Sequence, residues 1–112
     1  MVKSHRSKKV GSAIQREISF LIYREIHDPR LEGVTITHVE MSDDLSQAKV
    51  FYFVPTGKER ETVIKGFESA KGFLRHALSV ALNMRRVPSL SFIYDDTLEF
   101  FEKISKIGEE KE

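Results

Sequence analysis

Three prolines divide this chain into segments that no regular helix or central strand can cross. Pro29, Pro55 and Pro88 are its only prolines. A proline lacks the backbone N–H used in helices and sheets, and it moves the preceding residue out of helical torsions. We therefore expect a helix to end at Asp28-Pro29, a strand to close at Pro55 and a later helix to stop at Pro88.

The segment before Pro29 has the periodicity of a helix with one buried face. Its apolar residues recur every three or four positions from about Ser7 to Ile26, within an arc of about 120°. Lys9, Arg16 and Arg24 lie on the opposite side. The buried face is predicted to consist of Val10, Ile14, Ile18, Leu21 and Ile22.

Two stretches rich in β-branched and aromatic residues follow, at residues 34–39 and 48–54. Between them, Ser42-Asp43-Asp44-Leu45-Ser46 supplies turn-forming side chains. The connection is short enough for an antiparallel hairpin.

The remainder predicts two helices and a last strand. Thr56-Gly57-Lys58-Glu59 fits a capping box, in which the hydroxyl and the carboxylate satisfy free backbone amides at a helix start. Gly66 and Gly72 weaken the helix that follows, and Ala70-Lys71-Gly72 predicts a kink or break. A further helix carries Leu74, Ala77, Leu78, Ala81 and Leu82, and Leu90 to Tyr94 reads as a strand.

The predicted order is α-β-β-α-α-β, which makes an α+β fold with helices on one face of a three-stranded sheet containing an antiparallel pair. A chain of 112 residues has room for one modest core. We assign residues 1–96 to this domain and residues 97–112 to an acidic C-terminal helical tail, with Asp96 as a candidate cap.

Charge is segregated although the net charge is only +1. Residues 1–10 carry four basic side chains and no acid, whereas residues 96–112 carry six acids and three lysines. Such asymmetry suggests a basic arm for a polyanion, but two solvated termini would give the same pattern.

Cysteine is absent, which excludes disulfides and thiolate metal sites. The longest apolar runs are far shorter than a membrane span, and no apolar block follows the basic N-terminus as in a secretory signal. We expect a cytoplasmic monomer with no membrane contact.

The segment from Ser69 to Tyr94 contains no acidic residue. If the segment is helical, Lys71, Arg75, Ser79, Asn83 and Arg86 share an arc of about 120° opposite the apolar stripe. Solvated faces usually mix charges of both signs, so this basic face favours a phosphate backbone over plain solvation.

Catalysis has little support. The four histidines are scattered, and no pair has the spacing of a zinc site. Asp43-Asp44 and Asp95-Asp96 could hold Mg²⁺ beside a phosphate, but both pairs stand where turns or caps use aspartate. No nucleophile elbow or phosphate-binding loop is present, so we expect neither an enzyme nor a cofactor.

Phe51, Tyr52 and Phe53 are adjacent in a predicted strand, so both faces of the sheet carry a ring. One face must pack against the helices. The other could stack RNA bases or be an ordinary covered face, since aromatic residues are good strand formers.

Several short elements stand in a characteristic joint order and spacing between about Arg6 and Asp95. They are Lys9-Val10, Ile14, Glu17-Ile18-Ser19, Glu25-Ile26-His27-Asp28-Pro29-Arg30, Val34-Thr35-Ile36-Thr37, Ser42 to Val50, Ala70-Lys71-Gly72-Phe73-Leu74-Arg75 and Leu82 to Phe92. In this order and spacing the chain resembles the ribosome-binding factor A family.

This resemblance implies a type II KH-like fold, binding to the free 30S subunit, late maturation of 16S rRNA, a role in cold adaptation and no catalytic activity. An ordinary KH domain clamps nucleic acid with a G-x-x-G loop, which this sequence lacks. Ala70-Lys71-Gly72 instead resembles the family's A-x-G kink. The candidate RNA contacts are Lys3, Arg6, Lys8, Lys9, Arg16, Arg30, Lys71, Arg75, Arg85 and Arg86.

A second hypothesis is a protein-interaction adaptor, whose acidic C-terminal helix docks on a basic ribosomal protein. Deletion of residues 97–112 separates the two hypotheses. RNA binding predicts retained association with the subunit, and the adaptor predicts its loss.

Overall fold

The helices and strands follow one another in the order α-β-β-α-β in a computed structural model that describes residues 5–97 and 104. They are α1 (His5–Arg24), β1 (Thr35–Met41), β2 (Gln47–Phe53), α2 (Arg60–Ala81) and β3 (Ser89–Tyr94), with a short 3-10 helix at Pro29–Leu31. The α+β class is confirmed. Except for residues 97 and 104, the predicted acidic tail lies outside the described residues.

Helix α1 runs antiparallel to β1 and packs closely on it. A Cβ at Gly11 would lie 2.9 Å from the carbonyl oxygen of Val39, so only glycine permits this approach. One helical turn later, the Gln15 side chain donates to the carbonyl oxygen of Ile36 at 3.2 Å. The predicted buried face is confirmed for Ile14, Ile18, Leu21 and Ile22, whereas Val10 is only partly buried against the core.

The three strands form a mixed sheet in the order β1-β2-β3. The β1–β2 pair is antiparallel, as the hairpin pattern predicted, and β3 lies parallel to β2. The β1–β2 register shifts between Ile36 and His38, which leaves Thr37 as an irregular position in the ladder.

The prediction of two helices after Pro55 is wrong, because α2 is one continuous helix of 22 residues that includes Ala70, Lys71 and Gly72. Glycine costs only about 1 kcal/mol in a helix interior, which packing can outweigh. Here Phe67 and Leu74 are almost completely buried on either side of Ala70. Gly66 lies against Leu31, where a Cβ would be 3.0 Å from two side-chain carbons.

The predicted capping box is also wrong. Helix α2 begins at Arg60, and its N-cap residue, Glu59, makes no capping hydrogen bond through its side chain. Thr56 and Gly57 instead form a turn, in which Gly57 has φ +92°, a conformation that suits glycine.

The core lies between the helices and the inner face of the sheet. Tyr52 is buried at its centre, 5.0 Å from the ring centroid of Phe67. Phe67 also stacks on Phe92 of β3 at 4.3 Å. Both helices contribute to this cluster, so the prediction that they cover one face of the sheet is confirmed.

Candidate nucleic-acid interface

The first two turns of α1 present basic side chains beside the end of β1. Arg6, Lys8 and Lys9 are exposed, whereas Ser7 is buried. The close contact of Gly11 with Val39 places these turns next to the last residues of β1. Packing of the helix face therefore holds the three cations at the end of the sheet where the β1–β2 turn lies.

Helix α2 ends earlier than the sequence predicted. The N–H of Asn83 donates to the carbonyl of Val80, and that of Met84 donates to the carbonyl of Ser79. With Asn83 at φ +51°, this is a Schellman motif, which closes the helix at Ala81. Asn83 and Arg86 therefore do not share a helical arc with Lys71 and Arg75, and that prediction was wrong.

The basic residues of this region nevertheless remain associated. An Arg75 Nη donates to the carbonyl oxygen of Val87 at 3.1 Å, which ties α2 to the loop before β3. Arg85 and Arg86 are exposed in that loop. Lys71 lies with its Nζ 6.0 Å from the ring centroid of Phe92, at the distance limit for a cation–π contact.

The two sets of cations lie at one end of the molecule. β3 begins beside the start of β2, because Ser89 donates to the carbonyl of Ser46 at 2.9 Å and pairs with Gln47. The loop before β3 therefore shares an end of the sheet with the start of α1. We call this surface the basic end; it comprises Arg6, Lys8, Lys9, Arg75, Arg85 and Arg86.

The β1–β2 turn places two carboxylates at this end. Asp43 is exposed. The Asp44 carboxylate accepts hydrogen bonds from the Ser46 amide and hydroxyl and from the Ser42 hydroxyl, at 2.7–3.0 Å. These bonds lower the pKa of Asp44 to about 2. Asp44 therefore stabilises the turn. This is one of the two roles that the sequence suggested for it, the other being a Mg²⁺ ligand.

The other candidate contacts lie apart from the basic end. Arg16 is exposed midway along α1. Arg30 lies at the opposite end of the sheet, where its guanidinium forms an ion pair with Asp28 at 2.7 Å and lowers the pKa of that carboxyl. Lys3 is outside the described residues.

The described residues contain no group of three or more histidine or acidic side chains that could hold a metal ion. Asp95 has a structural role, because it accepts a 2.6 Å hydrogen bond from the hydroxyl of Thr37 at the irregular position of β1. This bond lowers the pKa of Asp95, and a second bond from the Thr97 amide adds to the effect.

The aromatic residues of β2 divide between the two faces of the sheet. Tyr52 belongs to the core, and Phe51 and Phe53 are half-buried. Sequence reasoning missed two more exposed rings, Phe20 and Tyr23 of α1, which are 50% and 81% exposed. Both rings lie at nearly the same angle around the helix axis as Arg16, away from the apolar stripe. The helical period of the sequence was therefore the signal that could have identified them as exposed.

Comparison with known proteins identifies the family. The model of ribosome-binding factor A matches residues 6–108. The chain belongs to this family. The ribosome-binding factor A of Streptococcus mutans is 39% identical over 108 residues, which is 95% of this chain and 93% of that protein.

Solved structures of the family share the fold. The crystal structure of ribosome-binding factor A from Thermus thermophilus is 27% identical, with a TM-score of 0.72 over 79% of this chain and 93% of that one. A Thermus thermophilus homology model fitted into a cryo-EM map of a 30S complex has a TM-score of 0.66 at 27% identity, over 80% of this chain and 94% of that one.

Ribosome-binding factor A proteins are non-enzymatic assembly factors, so family membership confirms the prediction that this chain is not an enzyme. No helix in the part of the chain that the structure describes is long and apolar enough to cross a bilayer.

Proposed function

We propose that this chain binds the free 30S subunit as a cytoplasmic monomer, contacts its 16S rRNA through the basic end, and assists late maturation of that RNA, with a role in growth in the cold. The observation that carries the proposal is the meeting of two basic segments at one end of the sheet. One is the start of α1, and the other is the loop after α2.

The electrostatics of the basic end favour a polyanion. Its six cations come from segments whose own residues, 5–16 and 69–94, contain no acid. The carboxylates near this surface are those of Asp43 and Asp44 in the β1–β2 turn and of Glu40, which lines a groove with Lys8, so the six cations outnumber them. Each basic side chain that contacts a phosphate releases counterions from the RNA, which is a favourable contribution at cellular salt.

The shape of α2 limits how the RNA can be held. A KH clamp needs a G-x-x-G loop between two helices, but the corresponding region here is helical without interruption. The proposed contacts are therefore side chains of α1, of the loop before β3 and, from α2, of Arg75. We retain the type II KH-like class as part of the proposal, supported by the element order with one helix fewer than predicted.

The comparisons support a ribosomal partner. The homology model from Thermus thermophilus was fitted into a map of a 30S complex with ribosome-binding factor A, and its fold matches this chain over most of its length.

Charge reversal in the loop before β3 tests the proposal. Arg85 and Arg86 suit this test better than Arg75, because the Arg75 guanidinium also holds the loop through Val87. We expect Arg85→Glu with Arg86→Glu to abolish co-sedimentation with isolated small subunits, with an unchanged circular dichroism spectrum.

The matched control is Lys49→Glu with Lys65→Glu, which alters the net charge equally at exposed positions outside the basic end. It should bind like the unmodified protein. Equal binding by both double variants would refute the assignment of the site.

A further inference from the structure

Helix α1 has a second feature besides its basic first turns, an exposed stripe along its whole length. Taken at 100° per residue, the positions within about 60° of Arg16 include Lys9, Phe20 and Tyr23 but no carboxylate. The opposite face packs in the core through Ile14 and Ile18, so this stripe faces solvent. From Lys9 to Tyr23 it is about 21 Å long at 1.5 Å per residue.

The two rings on this stripe are unusually exposed for their size. Phe20 is 50% exposed and Tyr23 is 81% exposed, although large aromatic side chains normally bury most of their surface. Neither ring contributes to the core cluster. Their exposure therefore has no explanation in the stability of the domain.

The surroundings of Tyr23 suit a nucleobase. The Arg24 guanidinium lies over the Tyr23 ring, with its central carbon 5.4 Å from the ring centroid, so a cation occupies one face of a π surface that is otherwise exposed. An open groove of about 770 Å³ adjoins the ring, lined by apolar side chains such as Ile22 and also by the acidic side chains of Asp28 and Glu32. A groove of this size is within the range of small-ligand sites.

We propose that Phe20 and Tyr23 stack on unpaired bases of the rRNA, while Arg16 and Arg24 contact the flanking phosphates. This inference rests on the proposed function and extends the RNA path from the basic end along α1. The charge of this stripe favours RNA over a protein partner. Its helix positions carry exposed rings and cations but no carboxylate, and this is the combination with which proteins bind single-stranded nucleic acid.

Alanine substitution of each ring tests the proposal. Base–aromatic stacking is lost when the ring is removed, so Phe20→Ala and Tyr23→Ala should each weaken binding to isolated small subunits by about tenfold. Tyr23→Phe keeps the π surface and should bind like the unmodified protein. Ile64→Ala removes a similarly exposed apolar side chain from α2 and serves as the control.

The salt dependence of binding should stay the same in both alanine variants, because no phosphate contact is removed. With small subunits containing 4-thiouridine, crosslinks should appear in the peptides that carry Phe20 and Tyr23. Unchanged affinity of both alanine variants, or crosslinks that form elsewhere in the protein but not in these peptides, would overturn the stacking proposal.

The same experiments separate this inference from the proposed function. If the unmodified protein binds with a steep salt dependence but the alanine variants bind equally well, only the stacking proposal fails. If the unmodified protein does not bind small subunits at all, the proposed function itself fails.

Discussion

Two glycines of α2 should respond in opposite ways to replacement by alanine. At Gly72 an added Cβ would meet nothing within 4 Å, and the site is exposed. Alanine is favoured over glycine in a helix interior by about 0.5–1 kcal/mol, because it loses less backbone entropy on folding. We expect Gly72→Ala to raise the free energy of unfolding by that amount and Tm by roughly 2–6 °C.

At Gly66 the same change introduces a steric conflict. The new Cβ would lie 3.0 Å from Cγ and Cδ2 of Leu31 and 3.1 Å from Cβ of Arg30. Leu31 is 1% exposed, so it has little room to move. Overpacking of this kind costs about 1–3 kcal/mol, against a helix gain of about 1 kcal/mol. We therefore expect Gly66→Ala to lower the free energy of unfolding by up to about 2 kcal/mol.

Urea denaturation followed by far-ultraviolet circular dichroism measures both effects, with the m-value as a check that the unfolding transition is unchanged. Destabilisation by Gly72→Ala would refute the continuous helix and restore the break predicted at Ala70 to Gly72. Stabilisation by Gly66→Ala would show that α2 does not pack on the 3-10 helix as described.

Two further predictions concern the turn and the core. The pKa of Asp44 is lowered from 3.8 to about 2, so its contribution to stability is present above about pH 4 and is lost as pH falls towards 2. Asp44→Asn should therefore flatten the pH dependence of the urea midpoint in this window, and an unchanged profile would contradict the hydrogen bonds of the turn. Phe67→Ala should lower the free energy of unfolding by about 3–5 kcal/mol, because the ring is buried between Tyr52 and Phe92. A loss below about 1 kcal/mol would remove Phe67 from the core.

Local patterns predicted the elements whose structure depends on local chemistry. The stripe containing Ile14 and Ile18 predicted α1, since a single buried face leaves a clear helical period. The turn from Ser42 to Ser46 predicted the hairpin, because its serine and aspartate side chains form the hydrogen bonds that close it.

The errors come from tertiary contacts and from competing local signals. Gly66 looked like a weak point of a helix, but its missing side chain accommodates Leu31, a residue far away in sequence. Pro88 predicts that the last helix before β3 continues to that residue, but Asn83 ends α2 earlier by adopting a left-handed conformation. The parallel pairing of β2 with β3 was not predicted, because it joins segments separated by all of α2.

The candidate site was predicted as a set of residues but not as an arrangement. The acid-free segment correctly drew attention to Arg75, Arg85 and Arg86, yet it placed Arg86 on a helix rather than in a loop. Arg30 was grouped with them by charge alone, and its ion pair with Asp28 at the far end of the sheet depends on the fold. Charge patterns show which residues can meet phosphate, but only topology brings them to one surface.

The salt dependence of binding to isolated small subunits tests the central claim most directly. If the basic end contacts rRNA phosphates, the logarithm of the affinity should fall steeply and linearly with the logarithm of salt concentration. Each phosphate contact contributes roughly 0.7–0.9 to the slope, so Arg85→Ala with Arg86→Ala, which removes two contacts without adding repulsion, should make the slope shallower by the contribution of about two contacts. A slope near zero, or the same slope in the variant and the unmodified protein, would contradict the account.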